Sequence, residues 1–268
     1  MRLRRWTHGL WAVLGVGLGG CAGPRQGTYE QRGFDTPSNS CRTQPALCVG
    51  PESVLPGVRA AEVAVVVAGA GAMLDADTRG AVEFVLKECA EQARSQVLLR
   101  YHDGKSLSQA QCNETLRNAR GEPVSRAMWL GEKMHAAALE CAQQQLESLR
   151  PGRFSLEPTY RVDRRTGVTT LLSAEEVQLL KQPRFQGELK GTLVPDVVIH
   201  EGRPLEAQAV YDFKFSCSNV DAPAAWREVP VEGAPPGRIP TQKNLYMKAL
   251  GLSRLQVWRV VPRHGVLE

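Results

Sequence analysis

An α/β fold is predicted by two helical apolar repeats, at about 126 to 149 and from Thr241 to about Leu250, with strand-length apolar runs set between and after them. The runs lie near 154 to 162, 186 to 199 and 207 to 216, and a last one spans Leu255 to Val261. The helical repeats place their apolar residues on one stripe, while the short runs have the length and apolar content of strands. The resulting order is helix, three strands, helix, strand. At 268 residues the chain is long enough to bury a real core around it.

The N-terminus reads as an export signal. Arg2, Arg4 and Arg5 form a positive region, Leu10 to Val16 a short apolar one, and Leu18-Gly19-Gly20-Cys21 has the small residues that precede a lipidated cysteine in a bacterial lipobox. Residues 1–20 are expected to be removed, which leaves a mature chain that begins at lipid-modified Cys21. The apolar run is too short and too rich in glycine to span a bilayer. Ala22 follows the cysteine, and the absence of Asp there is similar to lipoproteins sorted to the outer membrane.

Residues 21–57, rich in Gly, Pro, Ser and Thr, read as the lipidated cysteine and a flexible tether. Residues 60–75 are the most apolar part of the mature chain; a buried strand or helix is expected there. A helical pattern at 78–99 makes residues 58–120 a mainly helical middle region ahead of a domain at 121–268. Between Cys217 and Pro240 five prolines mark a long insertion, and long loops beside a site are commonly lids or substrate guides.

Charge says little about partners. The formal balance is +5, and removal of Arg2, Arg4 and Arg5 with the signal leaves +2, so no strong basic field advertises nucleic acid. Of seven cysteines, Cys21 is taken by lipid; the six others permit three disulfides in an exported chain, with Cys41–Cys48 the most local pairing. No Cys-x-x-Cys pair suggests zinc, and no local motif supports a cysteine nucleophile.

The chemistry concentrates late in the chain. In an extended strand alternate side chains share a face, so Asp212 and Lys214 project together, opposite Tyr211, Phe213 and Phe215. Asp196 of Gly191-Thr-Leu-Val-Pro-Asp196 arrives at the end of the preceding strand. Paired carboxylates suit a hard cation such as Mg2+ or Mn2+, and a lysine beside them can orient a water or stabilise phosphoryl charge. The Asp and Lys also fit a structural ion pair. Two further pairs stand at i,i+4 on helix faces: Gly131 with His135, and Gln242 with Tyr246.

GxxxH, then G-x-x-x-P-D, then D-x-K, then QxxxY resembles the PD-(D/E)xK nucleases, in particular their RecB-like branch, over residues 121–268. The resemblance implies a restriction-endonuclease-like αβββαβ core and metal-dependent phosphodiester hydrolysis, with DNA favoured over RNA. It implies Asp196, Asp212 and the backbone carbonyl of Phe213 as metal ligands, with His135 a further ligand and Glu132 its rival. Lys214 would position the attacking water, and Gln242 and Tyr246 would support the site or hold the substrate strand. Joined to a lipid anchor, such a domain resembles the SitA-like polymorphic lipoprotein toxins. That likeness implies passage from the donor outer membrane by exchange machinery, action in the recipient cytoplasm and a cognate immunity protein. A noncatalytic envelope lipoprotein with the same fold is the alternative.

If Cys21 carries the lipid, metabolic labelling with a fatty acid marks the wild type and not Cys21→Ser. Equal labelling of the two removes the lipoprotein reading.

Overall fold

The computed structural model describes residues 63–64, 72–163, 165–185, 187–230 and 239–268. The signal, Cys21, the tether, Cys41, Cys48 and most of the apolar 60–75 run lie outside the described residues. What is described is a mixed α/β fold.

Helix α1, Ala76–His102, starts where Asp75 accepts a hydrogen bond from the Thr78 N–H at 2.9 Å, and ends at Asp103 in a left-handed conformation. Helix α2, Gln109–Asn113, is short and begins with a capping box between Ser108 and Gln111. Strands β2, Thr115–Arg117, and β3, Pro123–Ser125, form an antiparallel hairpin. Helix α3, Arg126–Leu149, is capped by Ser125 through the Met128 N–H at 3.1 Å. Before it all, Val63–Ala64 forms strand β1. Thus the helical patterns at 78–99 and 126–149 both become helices, the first extended by a few residues at each end.

The expected strand at 154–162 is two strands in two sheets. Strand β4, Phe154–Leu156, stops at Glu157, whose φ is 46°, and Pro158 has no N–H to continue a ladder. Strand β5, Thr159–Val162, pairs instead with β6, Thr169–Leu172, which also pairs with β1. A seven-residue helix α4, Ala174–Leu180, follows. The expected strand at 186–199 shrinks to β7, Val197–His200. Gly187 and Gly191, at φ of 107° and 83°, hold turns that a strand cannot contain, and Pro195 removes another donor. Strand β8 is Ala207–Phe213, helix α5 is Gln242–Leu250, β9 is Val257–Val261 and β10 is Gly265–Leu267.

The five-stranded sheet has the order β10-β9-β8-β7-β4; β8 and β9 run parallel and the other neighbours antiparallel. The parallel pair exists because α5 lies between β8 and β9 in the chain and crosses over. Alternation then sorts side chains by face. Val197, Ile199, Ala209, Tyr211, Phe213, Phe215 and Val260 pack with α1 and α3. Val198, Val210 and Val257 pack with Tyr160 of β5 and with Tyr246, Ala249 and Leu250 of α5. Both faces of the central strands are buried, which is why β7 and β8 read as almost unbroken apolar runs.

Helices α1 and α3 meet along buried small residues, Ala90 and Ala93 against Ala138 and Ala142, with Leu86, Val97, Met134 and Leu146 on the same stripes. Two disulfides tie the layers: Cys89–Cys141 joins α1 to α3, and Cys112–Cys217 joins α2 to the chain just beyond β8. A boundary between residues 120 and 121 therefore cuts through the β2–β3 hairpin, through one shared core and through both cross-links. Residues 72–120 belong with 121–268 in packing.

The disulfides span 52 and 105 residues. Closing loops of that size restricts the unfolded chain by on the order of 4 kcal/mol each. Dithiothreitol should thus shift the urea midpoint of the purified protein well downward, and equal midpoints with and without reductant would show that the cross-links carry no stability.

Candidate active site

Asp196, Asp212, Lys214, Gln242, Tyr246 and His135 come together where β7 and β8 lie side by side, and each is 3 % exposed or less. Asp212 and Val210 share a face of β8, the face covered by α5, and Lys214 continues that alternation while its N–H pairs with the Val260 carbonyl at 2.9 Å. Asp196 stands immediately before β7 rather than inside a strand. Its backbone carbonyl accepts from the Glu157 N–H at 3.0 Å and its Oδ2 from the Phe213 N–H at 2.7 Å. The first bond ties it to the turn after β4 and the second to β8.

The Lys214 ammonium donates to Asp212 Oδ2 at 3.1 Å and to Gln242 Oε1 at 2.7 Å. Gln242 is the first residue of α5, set by the capping box of Thr241 and Asn244, so its side chain reaches the sheet from the helix end. Its Nε2 donates to the Tyr246 hydroxyl at 2.6 Å, and that hydroxyl donates to the Val194 carbonyl at 3.2 Å. Gln242 and Tyr246, one turn apart, thus brace the lysine and the Asp196 loop. From the opposite layer, His135 of α3 stands with Nδ1 3.3 Å from Asp196 Oδ2, its ring edge-on to Phe215 at 5.2 Å between centroids. Glu132 is half-buried one turn earlier, and no hydrogen bond or ion pair joins it to the carboxylates.

Burial raises the pKa of Asp196 to about 7, against the opposing pull of the Asp212 hydrogen bond, the Lys214 charge and the Phe213 N–H. Asp196 Oδ1 is buried with no donor to it.

Two hard carboxylates, an imidazole at their side and an undonated buried oxygen suit a divalent cation. Among the described residues no three or more His, Cys, Asp or Glu side chains stand together as a metal cage. A Mg2+ held by one or two carboxylates and its own waters does not need one.

Other residues at the site escaped the sequence reading. Trp226, from the proline-rich insertion, lies with its ring 5.6 Å from Lys214 Nζ and edge-on to Tyr246 at 6.5 Å. Glu157 contributes negative charge that raises Asp196 further, and with Lys181, Thr159, Thr192 and Val194 it lines a small cleft beside the site. The only signal for Trp226 was an aromatic in a loop between two motif-bearing elements. Glu157 had none, because its left-handed backbone is a tertiary outcome.

A second polar pair, Ser155 Oγ and His200 Nε2 at 2.9 Å, is not a nucleophile pair. His200 Nδ1 accepts from the Gly202 N–H at 2.9 Å, so Nε2 of the neutral ring carries the proton and donates to the serine.

No protein family model matches the chain, and no curated protein or solved structure matches it.

Asp196 gives a pH dependence of definite sign. Its folded pKa, about 7, exceeds the unfolded value near 3.9, so the folded state binds more protons between the two. This group's stability is fully present below pH ~4, falls as pH rises towards ~7 and is level above it. In EDTA the wild type should melt lower at pH 8 than at pH 5, and Asp196→Asn, which cannot ionise, should lose much of that fall. A wild-type profile parallel to the variant's would refute the assignment.

Proposed function

We propose that this chain is a metal-dependent nuclease of the PD-(D/E)xK kind with RecB-like motifs, acting on DNA as the C-terminal part of a SitA-like lipoprotein toxin. The observation that carries the reading is the convergence of Asp196, Asp212 and Lys214 with Gln242, Tyr246 and His135 in one buried network, although the six come from widely separated points in the chain. Support also comes from the order α3, β4, β7, β8, α5, β9, which follows the αβββαβ order of a restriction-endonuclease-like core. Strands β5 and β6 and helix α4 are then an insertion between the first two core strands.

In this reading Asp196 and Asp212 hold Mg2+ or Mn2+ with the Phe213 carbonyl, and His135 flanks Asp196 as a further ligand. A divalent cation there supplies Lewis-acid polarisation of the phosphoryl group and the positive charge that lets two carboxylates approach a phosphate. Lys214, held by Asp212 and Gln242, orients the attacking water. Gln242 and Tyr246 fix the lysine and Asp196 relative to each other.

The lipid anchor at Cys21 keeps the donor's copy on its outer membrane. Harm follows transfer by exchange machinery into a neighbour's cytoplasm, and an immunity protein protects kin. Two disulfides among the described residues agree with export through an oxidising compartment. The near-complete burial of all six side chains favours the second reading, a noncatalytic envelope lipoprotein, because substrate must reach a site that is closed.

The two readings part in one assay. The mature chain carrying Cys21→Ser should nick plasmid DNA with Mg2+ or Mn2+ and stop in EDTA. Asp212→Ala and Lys214→Ala should each lose about 10^2- to 10^3-fold in rate. Cytoplasmic expression of the wild type should cut viable counts and fragment the chromosome, while Asp196→Ala with Lys214→Ala should do neither. Undiminished cleavage by Asp212→Ala would refute the assignment of the site, and equal toxicity of the two expressed chains, or none from a well-expressed wild type, would leave the noncatalytic reading in its place.

A further inference from the structure

We propose that Trp226 is a positioning residue that holds the Lys214 ammonium in register with Asp212 and Gln242. The inference rests on the reading of Lys214 as the group that orients the attacking water.

Trp226 lies in the segment between β8 and α5, and that segment is pinned on both sides of it. Arg259 Nη1 donates to the Ala224 carbonyl at 2.5 Å, the Gln242 N–H to the Arg227 carbonyl at 2.7 Å, and the Val229 N–H to the Pro240 carbonyl at 2.8 Å. The Gln242 bond is informative, since the residue whose side chain receives the lysine proton also fixes the backbone next to the tryptophan. The ring therefore has a set place relative to α5 and β9.

A lysine side chain has four rotatable carbon links and a compact charge, so it can swing about its oxygen partners unless a further contact steadies it. The face of an indole attracts an ammonium through its quadrupole, most strongly where water is excluded, and Lys214 is 1 % exposed. An aromatic face brings no net charge. It can steady the ammonium without neutralising it, which a third carboxylate would do, and without competing for a cation. Tyr246, edge-on at 6.5 Å, backs the ring, so the residue bracing Gln242 also braces Trp226. The indole Nε1 is buried and meets no acceptor, so the useful part of the side chain is its ring face and not its N–H.

Phenylalanine should consequently replace it and leucine should not. With Mg2+ and plasmid DNA, Trp226→Leu in the mature chain should lower kcat about ten-fold, with KM within about two-fold, because the contact acts on lysine placement and not on substrate binding. Trp226→Phe should recover most of the rate. A readout independent of cleavage comes from NMR of the lysine ε-methylene groups. The Lys214 signal, identified by its loss in Lys214→Arg, should be shifted upfield by the ring in the wild type and in Trp226→Phe, and return to the ordinary lysine position in Trp226→Leu. Should Trp226→Leu fail to fold, Trp226→Met serves in its place. An unshifted Lys214 signal in the wild type, or equal kcat in the wild type and the leucine variant, overturns the inference. A wild type with the shift present and no cleavage of DNA overturns the nuclease reading instead, and reduces the contact to packing.

Discussion

Placing two carboxylates and an ammonium inside a packed sheet is the constraint to which the rest of the site answers. Unpaired, each charge would cost several kcal/mol to dehydrate, so each must be met by a group with a fixed position. The partners here form a circuit. Asp196 takes the N–H of Phe213; next to Phe213 stand Asp212 and Lys214, which bond each other; Lys214 bonds Gln242, Gln242 bonds Tyr246, and Tyr246 bonds the carbonyl of Val194, two residues before Asp196. The links run between the loop before β7, strand β8 and helix α5, which makes the arrangement of these elements a condition of the circuit.

The two layers around the sheet serve that requirement differently. Helices α1 and α3 close one face with alanines and larger aliphatic side chains and send in a single buried polar residue, His135. The other face receives α5 and β5, and Gln242 enters the site from the helix start, where Thr241 and Asn244 fix the first turn.

Much of this was legible in the chain. The period of α3 and α5, the two-residue alternation of β8 and the i,i+4 pairs put Asp212, Lys214, Gln242, Tyr246 and His135 on the correct faces before any coordinates. What failed had local physical causes. An apolar run at 154–162 hides a left-handed turn at Glu157, and the run at 186–199 contains two glycines at positive φ and a proline that defeat its strand character. Strand β6 and helix α4 lie in a stretch too mixed to show a period. The disulfide partners are 52 and 105 residues apart, and spacing alone cannot choose among six cysteines. The boundary near residue 120 followed from a change of pattern in the sequence, whereas the helices on either side of it pack together through alanines that carry no directional signal.

The cross-links also set the topology of the chain as a thread. Cys89–Cys141 and Cys112–Cys217 are interleaved, so residues 112–141 lie within both closed loops. Neither loop can be drawn straight without pulling on the other. Unfolded but oxidised, the polypeptide is therefore a branched object, and any pore that passes it must admit several strands abreast. Reduced, it becomes a single file. Whether the unfolded chain is a branched body or a line is thus decided by the thiol chemistry of its surroundings.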